Sequence, residues 1–278
     1  VFLEKDLMKS LQLKVLSVVA SALAVVGVAV APQATAAERN LVAFGDSVLA
    51  DPDAGSYLAH RYDPSKGVGV DCPTSNNYAK RAGAKLRLPV RDFSCSGAVS
   101  MSRGPQIFQQ VDAAIRTGAL SPATNRVVIT TGFNDTYNHR DMSLPQIRKV
   151  FADRTAPQIE RIKRAAPNAR VQIVGYPTIG TGPYYCLFHF GPRPADSTFL
   201  PGIQDFENKA QWMQVDLAAR TGVQFLDMKP STRNNGMCAD ANQRMWAGLV
   251  DFTGGDGNLP IHMNQRGHEH AANVIARS

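Results

Sequence analysis

Several familiar signposts are missing from this chain of 278 residues. Its four cysteines form no Cys-x-x-Cys, so the ordinary zinc and thioredoxin-type arrangements find no support. No Gly-x-x-x-x-Gly-Lys is present, which argues against P-loop phosphoryl transfer. Lys and Arg are scattered, without RNP, zinc-finger or basic-helix patterns. The formal net charge of +7 is therefore not the footprint of a nucleic-acid module. Past residue 31 no apolar run is long enough to cross a bilayer. Internal repeats, low-complexity tracts and domain linkers are absent too. Hydrophobic residues make up 44% and charged residues 19%, which suits a sizeable core and excludes general disorder.

The beginning of the chain is informative. Lys9 and Lys14 precede an uncharged run from Val15 to Ala31, followed by Ala34-Thr35-Ala36. A basic region, an apolar stretch and small residues at the cleavage positions are what a signal peptide requires. Residues 1–37 are read as a leader removed after Ala36 or Ala37, with Met8-Lys9 as its natural start. Residues 38–278 are then a single domain that is secreted or held in the cell envelope. An uncleaved anchor is the alternative, because the run sits at the lower limit for spanning a membrane. The positive charge suits an anionic envelope surface, or simply a solvated basic exterior.

Four cysteines in an exported chain imply two disulfides, and the count alone allows three pairings. The pairing with the shortest loops is Cys72–Cys95 and Cys186–Cys238.

The rest of the chain alternates strand and helix. Leu41 to Phe44, Val90 to Ser94, Arg126 to Thr131, Val171 to Val174 and Val223 to Leu226 read as short apolar strands. Between them, 77–86, 106–115, 145–165 and 203–220 carry helical periodicity, and 265–277 forms a last helix. Pro157 is expected to break or kink the third of these. Such alternation argues a parallel sheet covered on both faces, with ligands outside the carboxyl ends of the strands. The segments just past the first three strands are Gly45-Asp46-Ser47, Cys95-Ser96-Gly97 and Gly132-Phe133-Asn134-Asp135. All three should gather at one edge. The Pro- and Gly-rich stretch 180–202 reads as a long loop near that edge, pinned by Cys186.

Those segments carry chemistry. Ser47 follows the first strand, where free N–H groups of a helix start favour negative charge. The sequence is not a Gly-x-Ser-x-Gly elbow, because Leu49 occupies the second Gly position. Alone, Gly-Asp-Ser equally describes an ordinary helix cap. Asn134 adds a carboxamide donor and Gly97 a backbone N–H without a side chain, the requirements of an oxyanion site. Near the C-terminus, His262 can return to the sheet edge as a general base.

Together these motifs resemble the GDSL/SGNH hydrolase family, and within it the secreted actinobacterial esterase/lipase group. The matching blocks are Gly45-Asp46-Ser47, Gly97, Gly132-Phe133-Asn134-Asp135, and His262 in His-x-Asn-x-x-Gly-His. They span residues 40 to 278. The resemblance implies an α/β fold, the flavodoxin-like three-layer sandwich with a five-stranded parallel sheet. It also implies ester hydrolysis without metal or other cofactor, by Ser47 and His262 with Ser47, Gly97 and Asn134 around the oxyanion. The positions of Cys72 and Cys95 around Asn76-Asn77-Tyr78, and of Cys238 before Trp246, resemble the secreted group as well.

One departure matters. The family usually has Asp three residues before the catalytic His, where this chain has Leu259. The carbonyl of Leu259 is the expected substitute for orienting the ring, with Asp256 as the alternative. The readings of function that follow are a carboxylesterase or lipase taking a small-molecule or lipid ester, an esterase removing O-acyl groups from wall polysaccharide, and an inactive envelope-binding protein. Asp46 and Asp135 are expected to hold turns, Met237 and Trp246 to lie in the core, and His268 to pack or cap. His270 should be solvated. His189 either lines an acyl pocket or belongs to a surface loop.

Overall fold

The first strand, β1 (Leu41–Gly45), is a five-residue run buried along its whole length, as the centre of a two-sided parallel sheet requires. Its side chains alternate: Leu41 and Ala43 enter one apolar layer, Val42 and Phe44 the other. The computed structural model describes residues 38–278 except 64, 68, 70 and 254–258. The expected leader therefore lies outside the described residues.

Four further strands complete the sheet: β2 (Val90–Asp92), β3 (Arg126–Thr130), β4 (Arg170–Val174) and β5 (Gln224–Leu226). All pairings are parallel, in the order 2-1-3-4-5. This is the doubly wound order in which crossovers from β1 and β3 leave on opposite sides and open a crevice between their carboxyl ends.

The helices are α1 (Ser47–Ala50), α2 (Ala54–Tyr62), α3 (Tyr78–Leu86), α4 (Ile107–Arg116), α5 (Phe133–Asn138), α6 (Leu144–Ala165), α7 (Pro201–Thr221), α8 (Lys229–Thr232) and α9 (Gln265–Arg277). On one face α3 and α9 pack through Tyr78, Ala82, Ala271 and Ile275. On the other, α4 and α6 bury Ile107, Val111, Ile147, Phe151 and Ile159. The result is three layers, α/β/α. Asn77 caps α3 by accepting from the amides of Ala79 and Lys80, and Asn264 caps α9 through Gly267 N–H. Each satisfies donors that a helix start leaves open.

Three expectations change. Pro157 does not break α6, which runs without interruption from Leu144 to Ala165. The ring deprives Asp153 of one carbonyl partner, but buried Thr155, Ala156 and Ile159 hold that stretch against its neighbours. Helices α2, α5 and α8 lie where no helix was read. Helix α2 buries no residue at all, so no apolar stripe marks it. The 180–202 region also has structure: Tyr184–Tyr185 pairs antiparallel with Thr198–Phe199, and Phe188–His189 pairs with Val250–Asp251.

Both expected disulfides are present, Cys72–Cys95 and Cys186–Cys238, enclosing sequence separations of 23 and 52. In the chain-entropy account they stabilise by about 3 and about 4 kcal/mol. Replacing both members of a pair by Ser should lower the unfolding free energy by amounts of that order, more for Cys186–Cys238, as read from urea transitions of the oxidised protein.

Candidate active site

Ser47 is delivered by the turn from β1 into α1. Gly45 ends the strand, and a Cβ there would meet the Thr130 carbonyl at 2.8 Å. Asp46 caps the short helix by accepting from Val48 N–H at 2.9 Å. Its other oxygen accepts from the Tyr176 hydroxyl, which itself accepts Phe133 N–H at 3.0 Å. Burial pushes the Asp46 carboxyl up to about 7 against the opposing hydrogen bonds from Tyr176 and Val48. The acid thus ties β1, β4 and α5 together next to Ser47, the structural role expected of it.

His262 comes back to this edge from the segment ahead of α9. Its Nε2 lies 2.8 Å from Ser47 Oγ, and its Nδ1 lies 2.8 Å from the carbonyl of Pro260. A carbonyl only accepts, so the ring proton sits on Nδ1 and Nε2 is free to take the serine proton. The orienting acceptor is therefore Pro260, not Leu259, and the reason is local. Ile261 has φ +55°, a left-handed conformation costly for a β-branched residue. It folds the ring back over the residue two positions earlier. Leu259 instead donates its N–H to Asp51 Oδ1 at 3.2 Å. Asp256 lies outside the described residues. Burial holds the His262 imidazole below its ordinary value, while the Pro260 hydrogen bond and the charge of Asp51 oppose the shift.

Gly97 and Asn134 line the same cavity as Ser47 and His262. Gly97 has φ +79° and open space where a Cβ would stand, so its backbone presents itself without a shielding side chain. Among the described residues, neither its amide nor that of Ser47 has a hydrogen-bond partner. Asn134 donates one Nδ2 hydrogen to the Ala98 carbonyl at 2.9 Å and accepts from Tyr137 O–H at 3.0 Å. That fixes the amide and leaves its second N–H available. Asp135 accepts from the amides of Ser100, Met101 and Ser102 and from the Ser102 hydroxyl. It thereby holds the loop that carries Gly97 and Ala98.

The cavity measures about 560 Å³. Beyond the polar end its walls are apolar, including Val48, Ile179, Leu187, Leu200, Ile203 and Trp246. Met237 and Trp246 are thus both buried and part of the wall. Glu207 braces that wall, accepting from the amides of Ile179 and Gly180 and from the Tyr185 hydroxyl.

The remaining histidines differ from their expectations in part. His268 is buried, packing as expected, with Nε2 2.8 Å from Asp51 Oδ2. His270 is not simply solvated, since Nε2 meets Ser231 Oγ at 2.8 Å. His189 is neither on the surface nor in the cavity wall. It is fully buried, with Nε2 against the Met237 carbonyl at 3.0 Å, while flanking Phe188 and Phe190 are exposed. Sequence reasoning missed Tyr137, Tyr176, Pro260 and Asp51. Asp51, Tyr137 and Pro260 all stand within four residues of a motif, and only Tyr176 lies away from one.

Asp135→Ala should leave three amides and a hydroxyl without their acceptor. Unfolding free energy should fall by roughly 1–3 kcal/mol, with loosened placement of Gly97 and Asn134 visible as a lower kcat. Denaturant titration and ester kinetics on the same variant check both.

Comparison with known proteins bears on the family and the fold. Residues 43–270 match the GDSL-like lipase/acylhydrolase family. Among curated protein sequences nothing matches the chain. Of solved structures, phospholipase A1 from Streptomyces albidoflavus NA297 superposes with a TM-score of 0.58 at 19% identity, covering 87% of this chain and 99% of that one. The extracellular lipase from Streptomyces rimosus gives 0.51 at 20% identity, covering 85% and 99%. At such identities the likeness is one of fold. The family match covers most of the chain. The chain belongs to the GDSL-like lipase/acylhydrolase family.

Proposed function

We propose that this protein is a secreted serine esterase or lipase that hydrolyses carboxylic esters with apolar acyl chains through an acyl-enzyme on Ser47. The observation that carries the reading is the Ser47–His262 contact of 2.8 Å, with Nδ1 committed to Pro260, at the polar end of an apolar cavity. Ser47 Oγ attacks the ester carbonyl as Nε2 of His262 takes its proton. The amides of Ser47 and Gly97 and the free N–H of Asn134 receive the developing oxyanion. The tetrahedral intermediate collapses, and the alcohol leaves with the proton from His262. Water activated by the same nitrogen then attacks the acyl group, releases the acid and restores the serine.

Substrate class follows from the walls. A cavity lined mainly by aliphatic and aromatic side chains favours an acyl chain over an acetylated sugar, which supports the lipolytic reading above the wall-polysaccharide one. Exposed Leu249 and Ile261 belong to the cavity lining. Such a lining suits a lipid-phase substrate, anionic lipid included given the positive net charge. The leader-like first segment and the two disulfides support export. Among the described residues no helix is long and apolar enough to cross a membrane. An intact dyad speaks against an inactive binding protein.

With p-nitrophenyl esters, kcat/KM should rise from acetyl to medium-chain substrates, by at most about fourfold per added methylene. Ser47→Ala and His262→Ala should each lose at least about 10³-fold in kcat. Asn134→Ala should lose about 10²–10³-fold with little change in KM. Wild-type turnover in both dyad variants would end this reading.

The base must be neutral to act. Because His262 is held below the ordinary imidazole value of about 6.5, activity should persist as pH falls through that value and decline only below it. A kcat/KM profile between pH 4 and 9 tests the sign.

A further inference from the structure

A dyad whose histidine leans on a neutral carbonyl lacks the charge that a third carboxylate supplies to the imidazolium. Such a charge exists elsewhere in the site. Asp51 ends α1, with φ +41° and its N–H bonded to the Ser47 carbonyl. It is fully buried. Oδ1 accepts the Leu259 amide at 3.2 Å, and Oδ2 meets His268 Nε2 at 2.8 Å. Nδ1 of His268 accepts Tyr78 N–H at 3.2 Å. A backbone amide can only donate, so Nδ1 bears the lone pair and Nε2 carries the proton given to Asp51. A doubly protonated His268 would set two donors face to face at Tyr78. The ring therefore acts as a neutral clamp. Among the described residues no Lys or Arg pairs with Asp51.

We infer that Asp51 is the positioning carboxylate of this site: clamped by His268, it anchors the backbone at Leu259 and sets a buried negative charge behind the imidazole of His262. It acts without touching the ring, and does from the end of α1 what an aspartate at the position of Leu259 would do from within the loop. The ionisable groups acting on His262 are Asp51 from the end of α1 and His268 from α9, and the carboxyl of Asp46 and the phenols of Tyr57, Tyr137 and Tyr185 share the cavity. The interaction is mutual: the charge of Asp51 holds the imidazole up, and His262 lowers an Asp51 carboxyl that burial otherwise raises. During acyl transfer His262 becomes cationic, and the attraction strengthens as the proton arrives. That is stabilisation of the transition state rather than of the resting enzyme.

The inference rests on the Ser47–His262 reading, and the experiment separates the two. Kinetics of p-nitrophenyl butyrate hydrolysis are compared for Ser47→Ala, Asp51→Asn, Leu259→Asp and Asp51→Asn/Leu259→Asp. Asp51→Asn should lower kcat by roughly 10–100-fold with KM within about twofold. The acid limb of kcat/KM should move to lower pH by about half a pH unit or more, because the cationic ring loses its counter-charge. Adding Leu259→Asp to that variant should return the limb toward wild type and recover part of kcat. An Asp51→Asn enzyme with an unmoved acid limb overturns the inference, since loss of a purely structural anchor would lower kcat without shifting that limb. Should Asp51→Asn fail to fold, Leu259→Asp in the otherwise unaltered chain decides. A gain in kcat above about threefold shows that the site lacked a carboxylate and overturns the inference, whereas no gain supports it. Full turnover in Ser47→Ala would instead remove the acyl-enzyme reading itself.

Discussion

A single hydrogen bond, from Ser47 to His262, joins residues 215 positions apart, and it forms only because both backbones are fixed independently. At the serine end, the buried side chain of Gln110 bonds both the N–H and the carbonyl of Gly45, each at 2.9 Å. Asp46 then sets the start of α1. At the histidine end, Asn264 caps α9 and also donates to the Arg244 carbonyl at 2.8 Å. Ala247 N–H holds the carbonyl of His262 itself at 2.7 Å. The sheet supplies the platform, but these four side-chain and main-chain clamps decide the last ångström, where reactivity is lost or kept.

The electrostatic setting is unusual in composition. Asp46, Asp51 and Asp135 are almost completely buried around the site, and among the described residues none is paired with Lys or Arg. Their solvation comes from amides, hydroxyls and one imidazole. Burial of a carboxylate is tolerated when donors are aimed at it, and each donor used this way is a fixed point of a loop. Rigidity of the three turns and, through Asp51, a negative charge acting on His262 are therefore two results of one arrangement. Mutual repulsion between Asp46 and Asp135 adds to the upward push on Asp46.

How much of this was legible in the sequence depended on the range of the signal. β1, β3 and α9 were readable because their apolar periodicity is local and strong. The convergence of Ser47, Gly97 and Asn134 followed from topology, since parallel strands put their exits on one edge. What escaped were contacts set by a single dihedral angle or by distant partners. The left-handed Ile261 selects Pro260 over Leu259, and nothing in the residue type announces that conformation. Tyr176 acts through partners on other elements, Asp46 and Phe133, while Tyr137 acts through Asn134 on its own helix, and a polar side chain looks the same in the sequence whether it braces a site or simply packs. The continuity of α6 through Pro157 was hidden for the opposite reason: packing outweighed a strong local rule.

The Cys186–Cys238 bridge joins two stretches that each contribute to the cavity wall one residue away, through Tyr185 and Met237. The sheet, by contrast, is held by buried aliphatic layers that no thiol reagent can loosen. Opening this bond would release both wall residues at once, so the linkage that adds to the stability of the fold also fixes the shape of the pocket.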